Sequence, residues 1–225
     1  GVPDGAAITS YSLSAGESVG LIVAANVPSG ATVSQNGSLT LTVNSLNSAS
    51  ATKTNVDTAT VTNQSALVVR KKFSQTSVAN GDVVTVRLDY QNLGSTATGS
   101  VTLTDTLNSS LVYQLNAGEN WNGTTVNPST GSNDPAGINY SVTSNTVTAV
   151  ISSIPANATG YIEFKVKVNK TTAGPINNTV NFHYDHDNNS STATISDLSN
   201  TAVVSVAPIY AVKINGSASD VGNSS

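Results

Sequence analysis

Three stretches of this chain alternate apolar and polar residues at every second position. In the first, Val84, Val86, Leu88 and Tyr90 fall on one face and Thr85, Arg87 and Asp89 on the other. In the second, Ile162, Phe164, Val166 and Val168 oppose Glu163, Lys165, Lys167 and Asn169; in the third, Val180, Phe182 and Tyr184 oppose His183 and Asp185. A period of two is the signature of a strand with one buried face and one wet face, which suits antiparallel sheets. Helix formers are scarce, with three Glu (Glu17, Glu119, Glu163) and no Met. Apolar stretches bounded by Gly, Pro and Asn turns recur along the chain, so the expected fold is an all-β antiparallel sandwich.

The surface of such a sandwich has to be made from uncharged groups. Only 10% of residues are charged, against roughly 25% in an average soluble domain. Ser (32), Thr (29) and Asn (26) supply the polarity instead. Thr favours strands and Asn and Ser favour turns. With no Cys, stability rests on packing and strand pairing, and thiolate chemistry and Cys-based zinc sites are excluded. A net charge of −4 argues against a nucleic-acid partner, which needs clustered cations. The two small basic groups, Arg70-Lys71-Lys72 and Lys165/Lys167/Lys170, read as solvated strand positions that discourage edge pairing. No apolar run reaches the ~18 residues of a membrane span.

The chain divides into two blocks and a tail. Residues 66–206 hold enough alternating stretches for a complete domain of seven to nine strands. Residues 1–65 hold four candidates, Ile8–Leu13, Val19–Val27, Leu39–Leu46 and Thr52–Val61, with turns at Ala15-Gly16-Glu17, Pro28-Ser29-Gly30 and Asn36-Gly37. Four strands form a partial sandwich, whose apolar face needs a cover. Within residues 207–225, Ile209, Tyr210, Val212 and Ile214 form an apolar, strand-prone segment that could pair with a neighbouring domain or subunit. The expected partner is therefore the protein itself, as a homopolymer or as adjacent repeats.

Several motifs in residues 67–206 resemble a conserved repeat family of bacterial and archaeal surface proteins, known as domain of unknown function eleven. Gly81-Asp82-Val83-Val84-Thr85-Val86 is similar to the family's opening strand, and Tyr90-Gln91-Asn92-Leu93-Gly94 to the turn after it. Val101-Thr102-Leu103-Thr104-Asp105-Thr106-Leu107 and Leu111-Val112-Tyr113 resemble its next two strands, with Asn108 where Pro is common. Ile154-Pro155-Ala156-Asn157-Ala158-Thr159, Ile176-Asn177-Asn178-Thr179-Val180 and Ser199-Asn200-Thr201-Ala202-Val203 resemble its later segments. The resemblance implies an immunoglobulin-like sandwich in an extracellular array, a stalk, adhesin, biofilm fibre or envelope protein. It implies no catalytic residues.

Candidate chemistry is sparse. His183 and His186 fall on opposite faces of a strand and do not make a shared nucleophilic device. Asp185, Asp187, Asn188 and Asn189 are candidate oxygen ligands for calcium, though the Gly and terminal Glu of a calcium loop are missing, and a polar turn explains the segment equally well. Some surface immunoglobulin-like domains join Lys to Asn or Asp beside a buried acid. The residues to examine for that are Lys71 or Lys72, Asn92 or Asn178, and Asp89 or Asp105. Trp121, in the Gly- and Asn-rich loop 115–138, either stacks on a sugar or plugs the end of the sandwich; the first use would make the chain a glycan- or surface-binding adhesin. Twelve Asn-x-Ser/Thr sequons, among them Asn36, Asn108, Asn122, Asn157 and Asn169, are candidate glycosylation sites, a less than twofold excess over chance for this composition. No cofactor other than calcium is suggested. The overall expectation is a non-enzymatic structural module of an extracellular protein.

Overall fold

The computed structural model describes residues 10–13, 23, 27–48, 50–189 and 194–208. The anticipated donor segment Ile209, Tyr210, Val212 and Ile214 lies outside the described residues, as do positions 8 and 9 of the anticipated Ile8–Leu13 and most of Val19–Val27; residues 10–13 are exposed and belong to no strand. Among the described residues there is no helix. In chain order the strands are β1 (Asn36–Asn44), β2 (Thr52–Thr60), β3 (Leu67–Phe73), β4 (Ser77–Val78), β5 (Val83–Asn92), β6 (Val101–Thr106), β7 (Leu111–Tyr113) and β8 (Asn120–Trp121). They continue as β9 (Thr124–Thr125), β10 (Ile138–Thr143), β11 (Thr146–Ile151), β12 (Thr159–Val168), β13 (Gly174–Asn178), β14 (Asn181–Tyr184), β15 (Ile195–Leu198) and β16 (Ala202–Val206).

From β3 onward the strands build an antiparallel β-sandwich. One sheet has the order β3-β5-β12-β8-β9, with β7 also paired to β12. A second has the order β10-β11-β6-β14-β15, and a third, smaller sheet runs β13-β16-β4. The alternation dictates which side chains face inward. Val84, Val86, Leu88 and Tyr90 of β5 are buried, as are Ile162, Phe164, Val166 and Val168 of β12 and Phe182 and Tyr184 of β14. With Val101, Leu103, Val147, Ala149, Ile176 and Val204 they form one continuous core. At the register pair Gly160↔Tyr90, a β-carbon on residue 160 would collide with the Tyr90 phenol, so Gly makes room for that ring.

Ten of the eleven strand pairings from β3 to β16 are antiparallel; the informative pairing is the parallel one. β16 runs parallel to β4, with Ser205 beside Ser77 and Val206 beside Val78. Upstream, the Asn200 side chain clamps the backbone of Lys71: its Oδ1 accepts from Lys71 N at 2.8 Å and its Nδ2 donates to Lys71 O at 2.9 Å. Ser205 N then donates to Thr76 O, and Ala207 N to Val78 O, both at 2.9 Å. The first segment of the sandwich and its last strand therefore run side by side in the same direction. The chain enters at one pole, near Leu67, and leaves at the other, near Ala207.

β1 and β2 pair only with each other, in register from Asn36↔Thr60 to Asn44↔Thr52. Leu39, Leu41 and Val43 share one face of this ribbon, opposite Asp57, Asn55 and Lys53. Every residue of β2 is exposed.

Three local expectations are corrected. Asn36-Gly37 is not a turn but the start of β1. The sandwich has fourteen strand segments rather than seven to nine, because several are only two or three residues long and cannot display a period. The third alternating stretch ends at Tyr184, and Asp185 is buried rather than on the wet face.

Candidate functional site

Two inward rows that are otherwise apolar each end on an ionisable group. On β3 the row is Leu67, Val69, Lys71; on β6 it is Val101, Leu103, Asp105. Period two gives these charged residues the same inward direction as their aliphatic neighbours. Lys71 Nζ meets Asp105 Oδ2 in an ion-pair contact, and both side chains are fully buried. A third inward row, Ile176, Asn178, Val180, brings in an amide. Asn178 Nδ2 donates to Asp105 Oδ1 at 3.0 Å and to Thr106 O at 3.2 Å. Its Oδ1 is buried and has no hydrogen-bond partner among the described residues. The Asp105 carboxyl thus bridges a primary amine and a primary amide, one on each oxygen.

Burial sets the charge state of this group. Desolvation pushes the Lys71 ammonium down from its ordinary value, with the Asp105 charge and hydrogen bond opposing that shift. Desolvation pushes the Asp105 carboxyl up, against the opposing pull of Lys71 and of the Asn178 hydrogen bond. Both directions favour a neutral amine beside a protonated acid.

The other members of the same sequence group lie elsewhere. Lys72 and Asp89 face solvent, where Lys72 Nζ meets Asp89 Oδ2 at 3.0 Å. Arg87 joins them, donating to Asp89 at 2.7 Å and to Glu163 at 2.9 Å, with its guanidinium 3.7 Å from the centre of the Tyr161 ring. Asn92 is buried but fully used by backbone. Its Nδ2 donates to the carbonyls of Thr96, Ile154 and Pro155, and its Oδ1 accepts from Ala66 N and Gly94 N.

Loop 115–138 turns its aromatic inward. Trp121 is buried, and its Nε1 donates to the Tyr90 hydroxyl at 3.0 Å. The two rings lie 5.9 Å apart at 52°. Asn122 and Gly123 both have positive φ and make the tight turn between β8 and β9, the Asn-Gly pair favoured there. The base of the loop is fixed by a residue that sequence reading passed over. Buried Glu119 accepts from the Tyr113 hydroxyl at 3.0 Å and from Asn116 N at 2.7 Å. The Tyr113 and Tyr140 hydroxyls are 3.0 Å apart, and burial drives both phenols well above their ordinary range. The scarcity of Glu beside Trp121 was the available signal for this network.

The acidic turn after β14 uses its oxygens internally. Asn189 N donates to Asp185 Oδ1 at 3.2 Å and to Asp187 Oδ1 at 3.0 Å, and Asn188 has positive φ. Among the described residues no group of three or more His, Cys, Asp or Glu is placed to hold a metal ion. The sequon residues Asn36, Asn122, Asn157 and Asn169 are exposed and Asn108 is half-buried. Asn122 Nδ2 is engaged with the Tyr90 hydroxyl at 3.1 Å, and Asn108 Nδ2 with Asn177 O at 3.3 Å.

No protein-family model and no curated protein sequence matches the chain. Among solved structures it is similar to the 35 kDa C-terminal fragment of the major pilin GBS80 of Streptococcus agalactiae. Identity there is 14%, the match covers 63% of this chain and 56% of that one, and the TM-score is 0.46. It is also similar to the full-length major pilin SpaD of Corynebacterium diphtheriae (14% identity, 61% and 34% covered, TM-score 0.45). A third likeness is to the collagen adhesin of S. aureus (15% identity, 69% and 55% covered, TM-score 0.46). The match spans about half of the streptococcal fragment and about a third of the corynebacterial pilin.

Proposed function

We propose that residues 67–207 act as a structural module of an extracellular stalk or fibre on a bacterial or archaeal surface, carrying tension from one pole of the sandwich to the other. The observation that carries this reading is the parallel arrangement of the first segment and the last strand, with the chain entering and leaving at opposite poles. Pulling on the two ends slides β16 along its neighbours instead of peeling it off. The hydrogen bonds holding β16 lie across the direction of pull, so they resist together rather than breaking one at a time. The sparsely charged surface, rich in hydroxyls and amides, suits a module that meets solvent on all sides and neighbours of its own kind at its poles.

Electron microscopy of the native material tests this. The expected image is a linear array or filament with an axial repeat of the size of one module. Isolated compact particles at all concentrations would contradict it.

A further inference from the structure

We propose that Lys71 and Asn178 become joined by an intramolecular isopeptide bond that the folded chain forms by itself, with Asp105 as the catalytic proton-transfer residue. The inference stands on the geometry of the buried site and does not depend on the fibre reading.

Three facts converge on it. The amine, the acid and the amide come from three different strands, β3, β6 and β13, and meet between the sheets with all three side chains buried. The Asp105 carboxyl touches both the atom that would attack, Lys71 Nζ, and the atom that would leave, Asn178 Nδ2. The Asn178 carbonyl oxygen is held by no donor among the described residues, unlike Asn92, whose amide is engaged at both ends. As a purely structural device the group is a poor one. A buried ion pair commonly gains little over apolar packing, and an unpaired buried carbonyl adds a cost. As a reacting group it is well arranged: fixed proximity replaces a bimolecular encounter, and burial shifts the amine towards its neutral form and excludes competing water.

The step balances without any co-reactant. The uncharged Lys71 Nζ adds its lone pair to Asn178 Cγ. Asp105 takes a proton from Nζ and delivers one to Nδ2. The Cγ–Nδ2 bond breaks and ammonia leaves, while the new Nζ–Cγ bond remains as a secondary amide. One amine and one primary amide are consumed, and one secondary amide and one ammonia are made. Nothing is oxidised or reduced, and Asp105 is regenerated. The product ties β3 to the end of β13 across the sandwich, so the chain between positions 71 and 178 cannot be drawn out by pulling on the ends.

Intact-mass spectrometry of the purified 225-residue chain, followed by tandem mass spectrometry of its proteolytic peptides, tests the proposal. The expected result is a mass lower than the sequence mass by one ammonia, with a branched peptide joining Lys71 to Asn178. Lys71→Met, Asn178→Ala and Asp105→Asn should each restore the full mass, and the last should do so in a chain that keeps its sheet signature by circular dichroism. A wild-type chain at full mass, with Lys71 and Asn178 recovered in separate linear peptides, overturns the proposal even if a variant fails to fold. An ammonia deficit that maps to a cyclised Asn elsewhere overturns it too. A branched peptide that persists in Asp105→Asn would remove Asp105 from its role.

Discussion

At the residue scale, the fold is set by which side chains the period of two sends inward. The apolar members of those rows were readable from the sequence, because Val84 to Tyr90 and Ile162 to Val168 repeat without interruption. The polar members were harder to read. Lys71 and Asp105 sit at inward positions of their rows, yet Lys71 lies in an Arg-Lys-Lys run whose neighbour Lys72 is solvated and paired with Asp89. Only the third dimension separates Lys71 from Lys72, and Asn178 from Asn92. Trp121 was legible only as an alternative between an exposed and a buried role. The structure buries it against Tyr90, with its N–H satisfied. Trp121→Ala is therefore expected to cost about 3–5 kcal/mol of stability, the usual range for emptying an aromatic core site. Chemical denaturation measures this; a loss below about 1 kcal/mol would mean that the ring is not part of the core.

At the element scale, long strands announce themselves and short ones do not. β5 and β12, with ten residues each, were evident from alternation. β4, β8 and β9, with two residues each, exist because partners are already in place, and no local pattern marks them. The parallel contact of β16 with β4 is of this kind, since register between segments so far apart in sequence is decided by the core and not by either segment alone. The clamp that extends this contact depends on one side chain. Asn200→Ala would leave the N–H and C=O of Lys71 without their bidentate partner, at an expected cost of about 1–3 kcal/mol. The same substitution should speed amide hydrogen exchange at Lys71 while leaving exchange at Val86 in β5 at the rate set by global unfolding. Unchanged protection at Lys71 would show that the clamp does not hold the segment. The β1–β2 ribbon presents the opposite situation: its strands were legible as Leu39–Leu46 and Thr52–Val61, and the structure places them within two or three residues, but the ribbon pairs with no further strand among the described residues.

At the scale of the whole molecule, topology connects the buried site to the proposed mechanical role. The sandwich is crossed from pole to pole by its first and last segments, and Lys71 lies where they are clamped together. Force applied at the ends meets a set of hydrogen bonds loaded in shear, and the proposed Lys71–Asn178 bond would lie on the same load path. Sequence resemblance suggested an array but could not give the direction of strands that share no local pattern, so this property emerges only from the assembled fold. The most direct test is single-molecule force spectroscopy on the 225-residue chain, held at its two termini, in wild type and in Asn200→Ala. The account predicts a distinct high-force event when the sandwich of the wild type yields and a clearly lower force for the variant. Opening of the wild type by gradual, low-force peeling, with no change in Asn200→Ala, would contradict a load-bearing role.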